Sequence, residues 1–142
     1  MQFRRRGRGS TLVELMIVIA IITVLAAILV PNWARSKEQA KVTACRENLA
    51  NMAKALETYS IANERQYPAT LEQVVAFGYL ATLPTCPSAQ NTSVYTNGYE
   101  VYVNEGGFRE SYTLYCSTAN HTGVGLPANR PLFSPTFGLK DN

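Results

Sequence analysis

This chain of 142 residues holds three cysteines, Cys45, Cys86 and Cys116, and one histidine, His121. Cys86, Cys116 and His121 are of the types that bind zinc, and Cys116 with His121 is of the type that makes a thiol nucleophile and its base. Their spacing supports neither chemistry, because the chain has no CxxC and no HxxxH pair. His121 lies in a glycine-rich stretch, where a solvent-exposed or loop-bonding imidazole is expected. No catalytic group, metal site or cofactor is expected. The other residue whose placement demands a reason is Glu14. It stands at the mouth of the apolar run LMIVIAIITVLAAILV, Leu15 to Val30, which carries no charge and is closed by Pro31. An ionisable group at the edge of a bilayer-length segment costs about 2–4 kcal/mol to insert, so it is read as functional.

The element that positions Glu14 is a helix. Residues 12–30 as an α-helix reach about 28 Å, close to the thickness of a bilayer's hydrocarbon core. Arg4, Arg5, Arg6 and Arg8 precede the run, while Arg35 and Lys37 after it are accompanied by Glu38. The positive-inside rule therefore places the N-terminus in the cytoplasm and the rest of the chain outside. An ordinary secretory signal would have a shorter apolar region and a small-x-small cleavage site before Pro31. A plain single-span anchor explains the length and the arginines, but neither reading explains Glu14. Twin-arginine export is not supported by the residues around the arginines.

Gly9, Thr11-Leu12-Val13-Glu14-Leu15, the apolar helix and Pro31-Asn32 together resemble the N-terminus of type IV pilins and type II secretion pseudopilins. The resemblance covers about the first quarter of the chain. It implies that a prepilin peptidase cuts between Gly9 and Ser10 and methylates the new N-terminus. Glu14 is then the fifth mature residue and Pro31 the twenty-second. The chain departs from the family in beginning its mature form with Ser10 where Phe is usual. The charge is in keeping with a removed leader: the chain has 13 basic and 10 acidic residues, and residues 1–9 hold four of the arginines. The basic balance is thus topological and gives no ground for a nucleic-acid partner.

Beyond Pro31 the length allows one modest core. Val42, Cys45, Leu49, Met52, Leu56 and Tyr59 recur at helical spacing, with Lys41, Arg46, Glu47, Lys54 and Glu57 on the other faces. This stripe is expected to pack under the chain's own C-terminal part. Pro31 is expected to kink the helix without ending it. Thr70 with Gln73 reads as a capping box opening a short helix over 71–77, and Gly78 suits its C-terminal cap. The segment from Tyr67-Pro68 to Leu83-Pro84 also resembles the loop after the long helix in major pseudopilins. Asn97-Gly98 between Val94-Tyr95 and Tyr99–Val103 reads as a two-residue hairpin, followed by a turn at 104–107 and a strand over 111–116. These make a three-stranded antiparallel meander. The last residues, 117–142, read as an irregular tail that Leu132, Phe133, Phe137 and Leu139 could pin.

The expected class is α+β: a long N-terminal helix packed on a small antiparallel sheet, pilin-like. The expected division is a leader at 1–9, a helix at 10–62 spanning the membrane at 12–30, and a globular part at 63–142. Three cysteines outside the membrane allow three disulfide pairings; Cys86–Cys116 is the expected one, with Cys45 a packed thiol. The resemblance to major pseudopilins raises calcium, but Glu100, Glu105, Glu110 and Asp141 offer too few clustered oxygens, and no site is expected. The tyrosines are read as packing residues, and the sequons at Asn91 and Asn120 as chance. The function expected is that of a structural subunit of a type IV pilus-like or pseudopilus filament, not an enzyme. The implied partners are like or related pilin subunits, the prepilin peptidase, inner-membrane assembly machinery and the bilayer. A single-span, membrane-anchored binding domain that does not polymerise is the alternative.

Overall fold

The structure is a computed structural model describing residues 11–117 and 121–141. The leader, Gly9, Ser10 and the sequon at Asn120 lie outside the described residues, as does the side chain of Pro31. The longest element, α1 (Leu12–Ala62), has 51 residues. Its helical assignment passes through residue 31. The chain divides into two compact units that meet between Ser36 and Lys37.

The first unit is helix alone. From Leu12 to Val30 the apolar side chains are exposed on every face. The one hydroxyl within the run, on Thr23, donates to the carbonyl of Ile19 at 2.6 Å. That bond removes a polar group that an apolar surround would otherwise leave unsatisfied.

The second unit holds the core. Val42, Cys45, Leu49, Met52, Leu56 and Tyr59 are all buried, so the helical stripe lies where its spacing puts it. After α1 the loop at Tyr67-Pro68 is tied to the sheet. The Tyr67 amide donates to the Arg109 carbonyl at 2.9 Å, and the Tyr99 hydroxyl donates to the Pro68 carbonyl at 2.8 Å. The short helix α2 (Gln73–Ala76) follows. Its expected capping box does not form: the Gln73 side chain accepts from the amide of Ala69, one residue before Thr70, at 2.9 Å. Its C-terminus does follow the sequence. Gly78 adopts φ +78°, its amide reaches the Val75 carbonyl, and the Tyr79 amide reaches that of Val74. This is the paired-bond ending that a left-handed glycine permits.

The hairpin expected at Asn97-Gly98 is not there. Residues Ser93–Thr96 form a helical turn, α3, opened by the Asn91 side chain, whose oxygen accepts from Val94 N at 3.3 Å. Gly98 is required for a different reason. A Cβ on it would stand 1.9 Å from the carbonyl oxygen of Tyr115. The glycine signal is real, but it marks a close backbone approach, not a turn.

Strands β1 (Tyr99–Val103) and β2 (Arg109–Tyr115) pair antiparallel across the turn at 104–107. There the Asn104 side chain accepts from the amides of Gly106 and Phe108, each at 2.9 Å. Inward alternation holds for Tyr99 and Val101 and fails at Val103, because the register shifts between Tyr102 and Val103. On β2, Tyr112 and Leu114 are fully buried, and so is Cys116 just beyond it. The stretch read as an irregular tail contributes β3 (Leu132–Ser134) and β4 (Gly138–Lys140), giving a four-stranded sheet in the order β1-β2-β3-β4. Phe133 packs against the core and pairs with Leu114. Arg46 of α1 and Asp141, just after β4, form a two-pronged ion pair.

Two expected outcomes follow from this packing. Leu49→Ala or Leu56→Ala should lower the stability of a chain made of residues 34–142 by about 2–5 kcal/mol in denaturant melts. Burial, with the Glu57 carboxylate beside it, pushes Tyr67 up to about 12. Burial also raises Tyr99 and Tyr112 above the usual tyrosine range. These hydroxyls are neutral in the folded protein and ionise more readily in the unfolded chain. Stability should therefore be full below about pH 10 and fall as the pH rises towards 12. Tyr67→Phe should flatten that loss, measured as Tm against pH.

Candidate functional site

Two groups of residues carry chemistry, one at the start of α1 and one inside the core. At the start, Thr11 and Glu14 form a reciprocal cap. The Thr11 hydroxyl oxygen accepts from the Glu14 amide at 3.3 Å, and the Glu14 carboxylate accepts from the Thr11 amide at 2.9 Å. Thr-Leu-Val-Glu is a capping box written in the sequence, with Thr11 at the cap and Glu14 three residues on. The sequence reading singled out Glu14 for its charge and missed this pairing, although the spacing announces it. The carboxylate also faces the positive end of a long helix dipole. Glu14 thus has a monomeric role: it secures the first turn of an otherwise apolar helix.

The helix that follows has the character of an interior element without an interior. Its most apolar stretch has a mean hydropathy of 3.0 and is 0% buried within the protein. Trp33, just past Pro31, is exposed as well. Among the described residues this is the helix long and apolar enough to cross a membrane.

The second group brings together all three cysteines and the histidine. Cys45 comes from α1, Cys86 from the loop before α3, Cys116 from the end of β2, and His121 from the segment leading into the turn at Thr122–Val124. Their ligand atoms lie within 4.8 Å of one another, and all four residues are buried. None of the three thiols is in a disulfide among the described residues, and the sulfurs of Cys86 and Cys116 are 3.6 Å apart. Of the two expectations for His121, solvent exposure is corrected, since it is 2% exposed, and bonding to a loop is what the Ser88 contact provides. One ring nitrogen, Nδ1, lies 3.3 Å from the Ser88 hydroxyl, and the other, Nε2, is buried with no hydrogen-bond partner among the described residues. The Tyr95 hydroxyl donates to the Cys45 sulfur at 3.3 Å and accepts from the Asn48 amide at 3.2 Å. A hydrogen bond from Cys116, outweighing burial and aided by Tyr95, pulls the Cys45 thiol below its usual range. Burial pushes Cys86 up and holds His121 below the usual histidine range. Spacing along the chain could not show this cluster, because its members come from four separate segments.

Three of the carboxylates weighed for calcium have partners of their own. Glu100 accepts from the Tyr115 hydroxyl at 2.6 Å, Glu110 accepts from the Asn104 amide, and Asp141 pairs with Arg46.

The model of the prokaryotic N-terminal methylation motif matches residues 4–30. The type II secretion system core protein G of Pseudomonas aeruginosa is 34% identical over 100 residues, which is 59% of this chain and 70% of that protein. The protein of the same name from Dickeya chrysanthemi is 41% identical over 83 residues, and there the match spans 52% of the relative's length. The type IV wide pilus major component PilA4 of Thermus thermophilus is 33% identical over 119 residues, covering 84% of this chain and 77% of that protein. No solved structure matches. The methylation motif lies over the capped apolar helix, and the likeness to both kinds of relative runs well past it into the α+β part. The chain belongs to the family of type IV pilins and type II secretion pseudopilins.

Proposed function

We propose that this chain is a structural subunit of a filament of the pilus or pseudopilus class, held in the inner membrane by residues 12–30 until it assembles. The observation that carries the proposal is the helix from Leu12 to Val30, apolar on all faces and covered by no part of its own protein. In a monomer that surface requires lipid. In a polymer the same surface packs against the corresponding helices of neighbours, so one segment serves both states.

The division of labour is a leader at 1–9, a helix at 10–62 and a globular part at 63–142. The arginines of the leader hold the N-terminus in the cytoplasm, where a prepilin peptidase cuts between Gly9 and Ser10 and methylates the amine. The globular part folds outside. Inner-membrane assembly machinery then moves the subunit from the bilayer into the filament, where the C-terminal parts form the coat. Pro31 removes the amide that would bond the carbonyl of Ala27, and so supplies a point of bending within the helix.

Glu14 changes partner in this scheme. Before assembly its carboxylate caps its own Thr11 amide. In the filament it faces the Ser10 ammonium of an adjacent subunit. An ion pair in an apolar surround adds little net stability but penalises any register that leaves one charge alone. Glu14 is then a register device.

Two experiments test this. Intact-mass measurement of the protein from its native host should give a chain beginning at Ser10, with or without one added methyl group. A chain beginning beyond residue 30, or an uncut precursor, would overturn the assignment. The second is Glu14→Gln. Glutamine also completes a capping box, so the helix entrance should stay formed and the protein should stay in the membrane fraction. Losing one member of a buried ion pair costs about 3–5 kcal/mol, which predicts a fall in sheared filament of roughly a hundredfold or more. Filament at the wild-type yield, with the leader removed, would rule out the pairing.

A further inference from the structure

We infer that Cys45, Cys86, Cys116 and His121 form a structural zinc site that ties the long helix to the sheet and loops of the globular part. The donor set is three sulfurs and one imidazole nitrogen, with all ligand atoms within 4.8 Å of one another and all four residues buried. Tetrahedral zinc with bonds of about 2.3 Å to sulfur and about 2.0–2.1 Å to nitrogen needs ligand atoms about 3.6–3.8 Å apart. The Cys86 and Cys116 sulfurs stand at 3.6 Å, so that edge is already formed. Closing the remaining edges takes side-chain shifts of an ångström or less, on the order of ordinary rotamer adjustment.

The groups around the cluster are those that a zinc site uses to orient its ligands. His121 has two ring nitrogens with separate employment. Its Nδ1 faces the Ser88 hydroxyl at 3.3 Å, while Nε2 is buried with no hydrogen-bond partner among the described residues. A metal-bound imidazole is held the same way, with one nitrogen bonded to an outer group and the other carrying its lone pair to the metal. With Nδ1–H donating to Ser88, an otherwise costly orphan on Nε2 becomes the fourth ligand. The Tyr95 hydroxyl donates to the Cys45 sulfur at 3.3 Å. The backbone amides of Ser88 and Ala89 face the Cys86 sulfur. Donors to sulfur offset the negative charge that three thiolates and one divalent ion leave behind.

The backbone at each ligand is also fixed. The Cys86 amide donates to the Asn91 carbonyl at 3.0 Å, and the Gln90 amide donates to the Cys86 carbonyl at 2.7 Å. The Cys116 amide donates to the Pro131 carbonyl, and Val124 returns to the His121 carbonyl, each at 3.2 Å. Sulfur-rich tetrahedral sites select zinc over calcium or magnesium, which take oxygen ligands. Binding releases the three thiol protons to solvent, and the imidazole enters neutral. With four protein ligands the site is closed and its role is structural. A disulfide between Cys86 and Cys116 would consume two of the same thiols, so the two arrangements exclude each other.

The test uses the full-length chain, purified in detergent from membranes without reductant or added metal. Elemental analysis should give close to one zinc per chain. Alkylation in denaturant with a chelator should label all three cysteines. A chain with less than about a tenth of an equivalent of zinc and a Cys86–Cys116 disulfide in its peptide map overturns the site. Cobalt exchanged into the wild-type protein should give the absorption of a tetrahedral, thiolate-bound ion; an octahedral spectrum overturns it without any substitution. His121→Ala should lose zinc to a chelator at least about tenfold faster, and His121→Cys should keep it. Ser88→Ala should weaken zinc binding by about 10–100-fold, the usual cost of losing a group that orients a ligand. Zinc that stays at full stoichiometry in both Cys45→Ser and His121→Ala is held elsewhere, and the proposal fails.

Discussion

The rest of this molecule depends on one constraint: the first half of α1 has an apolar surface that is exposed among the described residues. A soluble domain pairs each apolar face with another of its own elements. Here that pairing is made along residues 42–59 and abandoned along residues 12–30. One helix therefore carries two solvation requirements. The C-terminal half is amphipathic and is satisfied within the chain. The N-terminal half is apolar all round and is satisfied only by lipid or by other copies. The polar exceptions in that half are managed locally, with Thr23 bonded to its own backbone and Glu14 folded into the first turn.

In the proposed filament, Glu14 answers both a local and a collective demand. A helix leaves its first amides without partners, and a threonine with a carboxylate three residues on satisfies two amides reciprocally. The cap is a local matter that any helix entrance poses. The charge is a separate property, which matters where water is excluded and a counter-ion must be found. Glutamine would serve the first purpose and not the second, so the two roles are chemically separable.

What could be read from the sequence was what is periodic or contiguous. The helix, its stripe from Val42 to Tyr59, the strand pair around residues 104–107 and the glycine cap at Gly78 are all short-range patterns, and the structure has them. Asn97-Gly98 was misread because glycine answers two needs, positive φ and close approach, and only the packed sheet shows that Tyr115 is its neighbour. The last two strands escaped notice because three-residue segments have no period to detect. They become strands because Leu114 and Tyr115 offer an edge to pair with. Cys86, Cys116 and His121 were weighed as zinc ligands and set aside, and Cys45 was left out of that set, for a related reason. The spacing rules for metal sites describe ligands that share a turn, and these four are joined by packing alone.

The arrangement of this core also sets an order of events. Chain synthesis delivers the helical stripe first and its covering partners last, since Tyr112, Leu114 and Phe133 lie far along the chain. In the proposed topology, residues 42–59 leave the membrane before the strands that bury them have been made. Contacts between residue 45 and residue 116 span most of the globular part and must wait for both ends. On the proposed function, the nascent subunit would therefore pass through an interval in which this apolar face is open to identical neighbours in the same membrane. The late strands of this small sheet are thus the step that ends an early subunit's exposure to premature association.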